Sequence, residues 1–149
     1  VSFTTRTAMV KVEPIPDGTR FSNGEGSIEV SFPARHLVIN RYHGHAQAEL
    51  AAPVLAELSR TALSAPHGLC VMNDAEGLTD YDSGFRQQWT EWVRLNRRHI
   101  KAFHLLHSSS VIRVGVKLAN VIVGDVIKSY PDRSAFDAAI MEFRRRPPG

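Results

Sequence analysis

A short polar segment, residues 73–84, holds most of the side chains in this sequence that could bind an ion or a partner. It contains four carboxylates, at Asp74, Glu76, Asp80 and Asp82. Carboxylate oxygens are the ligands that magnesium and calcium use, but the spacing and the glycine placement of an EF-hand loop are absent. Acidic residues are also common in solvated loops. A solvated loop and a cation site are therefore the two alternatives for this segment.

The same segment ends where a helix is predicted to begin. Asp82 precedes an amphipathic pattern, and aspartate is a preferred N-cap residue. Ser83 and Gly84 follow, at the position where free backbone N–H groups and the helix dipole attract anions. The order Asp-Ser-Gly predicts either an ordinary cap and first turn or a place where an anionic group binds.

Histidines form a second set of candidate ligands. His43 and His45 lie two residues apart on a predicted strand, so both imidazoles share one face at a spacing that zinc can use. The remaining ligands would have to come from His104 or His107, and the sequence does not place these near the pair. A polar strand surface without metal is the alternative.

The helix predicted for residues 82–99 carries two further features. Trp89 and Trp92 are three residues apart on its apolar stripe, which predicts core packing, with a docking face or ligand pocket as the alternative. The C-terminal end of this helix is basic, which the helix dipole favours in any solvated helix. A surface that binds an anionic partner is the alternative interpretation. The basic residues are Arg94, Arg97, Arg98 and Lys101.

Catalytic motifs are absent. The sequence has no GxSxG, HExxH, GxGxxG or P-loop pattern, and Ser109 and Ser110 are better explained as helix caps than as nucleophiles. We therefore expect a non-enzymatic protein without a cofactor.

The composition bounds the class of protein. With 149 residues, 43% of them hydrophobic and 22% charged, the chain fits one globular domain. A formal charge of +3 does not indicate nucleic-acid binding. No apolar run approaches the roughly 18 residues that span a bilayer, and residues 1–11 lack the apolar stretch of a signal peptide. The single cysteine, Cys70, lies in an apolar run and predicts a buried thiol in a reducing, cytoplasmic environment.

The spacing of apolar residues predicts an α/β fold. Residues 1–18 are predicted to be a flexible arm and residues 19–146 a single domain. Two nearby strands, residues 28–32 and about 36–44, predict an antiparallel hairpin. Helices and strands then alternate, which predicts a mixed sheet with parallel later strands and helices packed against it. These elements are helix 46–64, strand 68–73, helix 82–99, strand 101–107, helix 111–123, strand 126–130 and a helix from residue 134 through residue 143.

Residues 74 to 84 resemble STAS domains, the anti-sigma-factor antagonist modules also found on the tails of sulfate transporters. The resemblance rests on an acid that ends a strand and an Asp-Ser-Gly that opens a helix eight residues later. A later stretch, residues 115–140 (GVKLANVIVGDVIKSYPDRSAFDAAI), resembles the end of the same fold. The resemblance covers about residues 27–143, and the sequence is similar to divergent bacterial members of the group.

One position departs from the family pattern. The family's antagonists carry Asp-Ser-Ser-Gly, and the second serine takes phosphate from a partner kinase. This sequence reads Asp82-Ser83-Gly84, so Gly84 occupies the acceptor position and Ser83 is the phosphorylation candidate only if the register slips by one residue. A phosphoryl group on Ser83 would gain from the helix N-terminus but be repelled by Asp80 and Asp82.

The resemblance implies a regulatory or scaffolding module that binds a protein partner, a kinase or an anti-sigma-like regulator, around residues 74–86. The candidate partner-binding residues are Asp74, Glu76, Asp80, Tyr81, Asp82, Ser83 and Arg86. A carrier or sensor of a small apolar or lipid-like ligand is the alternative, because STAS-like folds are similar in topology to lipid-exchange domains of the SEC14 type. The apolar helix 111–123 favours it. Whether the domain forms a homodimer stays open.

Overall fold

One mixed β-sheet organises the chain. The computed structural model describes residues 10–65, 67–107 and 109–146, and within them seven strands lie side by side in sequence order. The strands are β1 Lys11–Ile15, β2 Gly18–Ser22, β3 Gly26–Ala34, β4 Leu37–Ala46, β5 Leu69–Tyr81, β6 Ile100–Leu106 and β7 Ile127–Tyr130. The helices are α1 Ala51–Ser64, α2 Ser83–Leu95, α3 Ser110–Val123 and α4 Arg133–Arg145.

Strand β4 divides the sheet into two halves. Strands β1 to β4 pair antiparallel, whereas β4 to β7 pair parallel. Parallel neighbours need a crossover connection, and α1, α2 and α3 supply the three crossovers. The predicted fold class, a mixed sheet with an N-terminal antiparallel hairpin followed by alternating helices and parallel strands, is confirmed.

The two faces of the sheet are covered by different helices. On one face, α1, α2 and α3 pack through residues such as Val54, Trp89 and Ile112 into the larger core. On the other face, α4 packs through Phe136, which is fully buried in a smaller cluster with Cys70. Because the first half of β5 is covered on both sides, its residues 69–72 form a continuous apolar run that is fully buried.

Three predictions about single core residues are confirmed. Trp89 and Trp92 are 8% and 7% exposed and belong to the larger core. Cys70 is fully buried, and burial raises the pKa of its thiol to about 11. The thiol is therefore neutral and acts as a small apolar side chain.

The flexible arm predicted for residues 1–18 is wrong for its second half. Strand β1 pairs with β2 in a hairpin whose turn holds Asp17 at a φ of 61°. Pro14 lies within β1, where a residue without an N–H is tolerated because β1 is an edge strand. Residues 1–9 lie outside the described residues.

The acidic segment is a strand and not the loop predicted from the sequence. Strand β5 continues through Asp74 to Tyr81, paired with β4 across two register shifts. Such bulges re-aim side chains, so that Leu78 is buried in the larger core while Glu76 and Asp80 are exposed. The polar residues beyond Asp74 are therefore held on a paired strand.

The helix ends differ in detail from the predictions. A 3-10 turn, Ala48–Leu50, precedes α1, in line with the irregular start that Pro53 predicts. Helix α2 ends at Leu95, and a second 3-10 turn, Arg97–His99, leads into β6. Helix α4 is capped by Asp132, whose carboxylate accepts the Ser134 N–H at 3.0 Å. Among the described residues, no helix combines the length and apolarity that crossing a bilayer requires.

Candidate functional site

The end of β5 and the start of α2 form one rim of the domain. We call Asp80, Tyr81, Asp82, Ser83 and Arg86 the α2 rim. Asp80 and Ser83 are exposed, whereas Tyr81, Asp82 and Arg86 are half-buried. Five of the seven predicted partner-binding residues therefore come together here.

Asp82 occupies the N-cap position of α2, but its side chain does not cap that helix. Instead Asp82 Oδ1 lies 2.8 Å from His45 Nε2, and Asp82 Oδ2 accepts the Ala48 N–H at 3.0 Å. Only the backbone carbonyl of Asp82 serves α2, where it accepts the Phe85 N–H at 3.0 Å. The prediction that the Asp82 side chain caps α2 is wrong. Its carboxylate instead connects the start of α2 to His45 at the end of β4.

His45 lies between two carboxylates of the rim. Its Nδ1 is 3.6 Å from Asp80 Oδ2, on the opposite side of the ring from Asp82. The hydrogen bond to Asp82 raises the pKa of His45, and the same bond lowers the pKa of Asp82 together with the Ala48 N–H. The pair therefore favours an imidazolium next to an ionised carboxylate.

Ser83 is the first residue of α2 and is exposed, whereas Gly84 is half-buried. A Cβ added at Gly84 would lie 3.2 Å from the Ala48 Cβ, so a serine there would crowd the turn before α1. At the position of the family's acceptor serine, this protein thus packs a glycine against a neighbouring element. Ser83 presents the exposed hydroxyl at this helix start.

Asp74 and Glu76 belong to a different cluster, on the α4 side of the sheet. Arg133 Nη2 lies 2.9 and 2.8 Å from the two Asp74 oxygens, and Arg133 Nε donates to Glu76 Oε1 at 2.8 Å. Arg41 adds a longer contact of 3.7 Å to Asp74. The side chain of Asp74 is only 10% exposed, so we interpret this cluster as a clamp between β5 and α4 rather than a docking surface.

The four acidic residues are therefore divided between two cationic partners, Arg133 and His45. Within residues 10–65, 67–107 and 109–146, the side chains form no group of three or more histidine, cysteine, aspartate or glutamate residues suited to a metal ion. The carboxylates of this segment are engaged in ion pairs with Arg133 and His45.

The histidines predicted as zinc ligands point to different neighbours. Gly44, at a φ of 78°, lies between His43 and His45 within β4, and the register with β5 shifts next to it. His43 lines a shallow groove with Asp74 and Arg133, whereas His45 contacts the α2 rim. His104 packs against Phe143 of α4, with its Nδ1 3.0 Å from the Tyr130 hydroxyl.

A buried polar network crosses β4, β5 and β6 below the rim. Asn73 Oδ1 accepts from Asn40 Nδ2 at 3.0 Å and from the Tyr42 hydroxyl at 2.6 Å. Asn73 Nδ2 donates to the His104 carbonyl at 3.1 Å. Sequence reasoning missed this network, although each asparagine ends an apolar run and the two are paired in register.

The sequence analysis did not predict two further contacts. One is the ion pair of Arg133 with Asp74, which are 59 residues apart and are connected by no spacing rule. Gly115 lies where α3 passes the β5 end, and a Cβ there would overlap the Tyr81 hydroxyl. The predicted basic end of α2 is partly neutralised, because Arg94 Nε donates to Glu91 Oε1 at 3.0 Å.

Together the sheet order and the crossover helices give a STAS-like fold, as the sequence resemblance implied. The chain is similar to SpoIIAA, a Bacillus cell fate determinant solved in its phosphorylated form, with a TM-score of 0.58 and 17% identity over 75% of this chain and 98% of that one. It is also similar to an uncharacterized protein of the DUF3478 family with a SpoIIAA-like fold from Shewanella loihica PV-4. There the TM-score is 0.53 and the identity 10%, over 94% of this chain and 98% of the other. No family model and no curated protein matches the sequence.

Proposed function

We propose that this chain is a non-enzymatic regulatory module that binds a protein partner through the α2 rim, with Ser83 as the residue that switches binding by phosphorylation. The observation that carries the proposal is the exposed Ser83 at the start of α2 on a STAS-like fold. The phosphorylated form of SpoIIAA supports it by analogy of fold. Asp74 is left out of the proposed surface because it is bound to Arg133.

The helix start suits an added anion. The first N–H groups of a helix have no partner in the preceding turn, and here the Asp82 carboxylate is directed to Ala48 and His45 instead of to α2. A phosphoryl group on Ser83 would carry up to two negative charges and gain from these N–H groups and from the dipole.

His45 reduces the repulsion that Asp80 and Asp82 would otherwise exert on a phosphoryl group. Its imidazole contacts both carboxylates, and its raised pKa favours the charged form. The local charge next to Ser83 is therefore less negative than the sequence indicates. Arg86, one turn into α2, adds a further cation to the rim.

The test compares affinity capture from the source cells with wild-type protein, Ser83→Asp, Ser83→Ala and the control Ser110→Asp. Ser110 is also the exposed first residue of a helix, but on α3. We expect wild type, Ser83→Ala and Ser110→Asp to retain the same partner and Ser83→Asp to lose it. If both Ser83 variants retain every interaction, the switch is rejected.

A separate pair of variants tests the surface itself. Asp80→Lys and Arg86→Glu reverse two charges of the rim, whereas Glu142→Lys reverses an exposed charge on α4. We expect only the first two to weaken capture of the partner. Equal capture by all three would place the partner elsewhere on the domain.

Intact-mass spectrometry of wild type and Ser83→Ala would show whether a phosphoryl group is carried at this serine.

A further inference from the structure

A cavity of about 100 Å³ lies between the sheet and helices α2 and α3. Its wall comes from β4, β5, α2, β6, α3 and β7, and it is almost entirely apolar. The main contributors are Trp89, Val93, Phe103, Ile112, Val116 and Ala119. The cavity shares Tyr81 and Arg86 with the α2 rim, and its other lining residues lie outside that rim.

The indole of Trp89 is the unusual group in this wall. Trp89 is 8% exposed, and its Nε1 is a buried donor without a hydrogen-bond partner among the described residues. The neighbouring Trp92 differs, because its Nε1 donates to Ser59 Oγ at 2.8 Å. A buried donor without a partner costs about 1–3 kcal/mol, so an unpaired indole at a cavity indicates a missing acceptor.

The other buried polar groups of the wall are already paired. The Tyr42 hydroxyl and the Asn73 amide bond to each other at 2.6 Å. The Thr90 hydroxyl donates to the Arg86 carbonyl at 2.8 Å. Among the buried side-chain nitrogen and oxygen atoms that line the cavity in the described residues, Trp89 Nε1 is the one left to bond with an occupant.

We propose that this cavity binds a small, largely apolar molecule with one hydrogen-bond acceptor, such as a carbonyl oxygen, which accepts from Trp89 Nε1–H. A cavity of about 150 Å³ lined by apolar side chains holds benzene, so one of about 100 Å³ suits a small ring or chain of no more than about six heavy atoms. An ordered water needs two to four polar partners, and the wall offers one free donor.

The test uses two probes of one shape, cyclopentanone and cyclopentane, and observes the two indole N–H signals by ¹⁵N NMR. Trp89→Phe and Trp92→Phe assign the signals. We expect cyclopentanone to move the Trp89 N–H signal downfield in a saturable way and to leave the Trp92 signal in place. Cyclopentane should bind without the downfield shift, because it has no acceptor.

Affinities from the same titrations give the second readout. In Trp89→Phe the ratio of cyclopentanone to cyclopentane affinity should fall about 2- to 12-fold, the range of one neutral hydrogen bond, relative to wild type and to Trp92→Phe. Ala119→Val narrows the cavity from α3 and should weaken both probes together. Circular dichroism and thermal unfolding check that each variant is folded.

The proposal is overturned if neither probe moves the Trp89 signal at saturation, if both indole signals move equally, or if the affinity ratio is the same in Trp89→Phe and wild type. None of these outcomes depends on a protein partner or on Ser83. The cavity and the docking surface can therefore fail separately.

Discussion

His45 on β4 and Asp82 at the start of α2 are joined through Nε2 and Oδ1 at 2.8 Å. The contact links β4, the strand at which the pairing changes from antiparallel to parallel, to the helix that carries the proposed rim. Its strength depends on two charges whose ordinary pKa values are 6.5 and 3.8. The strength of this contact should therefore depend on pH.

The His45–Asp82 pair should stabilise the fold most between about pH 4 and pH 6.5. The raised pKa of His45 gives stability that is complete below 6.5 and is lost as the pH rises through its folded pKa. The lowered pKa of Asp82 gives stability that is complete above 3.8 and is lost as the pH falls through its folded pKa. We expect His45→Gln to lower the free energy of unfolding by about 0.5 kcal/mol more at about pH 5.5 than at about pH 8.5, measured by urea denaturation. His43→Gln, at an exposed ring on the same strand, is the control. An equal loss of unfolding free energy at the two pH values would contradict a stabilising charge pair between His45 and Asp82.

Asp82 should matter more to stability than its neighbour Asp80. Asp82→Ala removes the acceptor of the Ala48 N–H as well as the contact with His45, which should cost about 1–2 kcal/mol of unfolding free energy. Asp80→Ala removes an exposed 3.6 Å contact to His45 and an exposed 2.8 Å hydrogen bond from the Tyr81 N–H, and should cost no more than about 0.5 kcal/mol. Thermal and urea unfolding of the two variants give the comparison. Similar losses would mean that the bond to Ala48 contributes little.

Arg133 should be the residue on which the β5–α4 clamp depends. Arg133→Ala leaves the nearly buried Asp74 carboxylate with the 3.3 Å hydrogen bond from the Glu76 N–H and the 3.7 Å contact to Arg41. Because the Arg133 side chain is 42% exposed, we expect a loss of about 1–3 kcal/mol, less than for a fully buried pair. Asp137→Ala, which removes the exposed 3.4 Å contact of the same arginine, should cost less than about 0.5 kcal/mol. Urea denaturation measures both, and equal losses would reject the clamp.

His104 should make the domain less stable in acid. Burial lowers its pKa to about 4, with a smaller contribution from Lys128, so protonation favours the unfolded chain, where the ordinary pKa is 6.5. This destabilisation is absent above about pH 6.5 and grows as the pH falls to about 4. With solvent screening, we expect it to lower the free energy of unfolding by about 1–2 kcal/mol. NMR titration of the His104 ring in the folded protein should give the low pKa, and Lys128→Gln should raise it slightly. A titration near 6.5 would contradict the burial of this ring.

The order of the elements could be predicted because apolar spacing is a local property. The alternation of Ile28, Val30 and Phe32 indicated β3, and the stripe through Trp89 and Trp92 indicated α2. The continuation of β5 could not be predicted, since aspartate, glutamate and glycine have low strand propensity. What holds that segment is pairing with β4 and the burial of Leu78, both contributed by the fold.

The candidate site was predicted in position and only partly in its contacts. The exposed Ser83 and Asp80 follow from a polar stretch before an amphipathic helix. The partners of Asp82 and Asp74 do not, because His45 and Arg133 are 37 and 59 residues away along the chain. Trp89 was predicted as a core residue, but an unpaired N–H can be recognised only when every neighbouring acceptor is known.

Strand β5 carries the acidic stretch to Tyr81 within the sheet ladder, and this has a thermodynamic consequence for association. Backbone that is already fixed loses little conformational entropy when a second molecule binds to it. Binding at the α2 rim should then be nearly rigid-body, with a heat-capacity change that reflects only the area buried between the two surfaces. The amides of residues 75–81 that bond to β4 should exchange slowly with solvent before any partner is added.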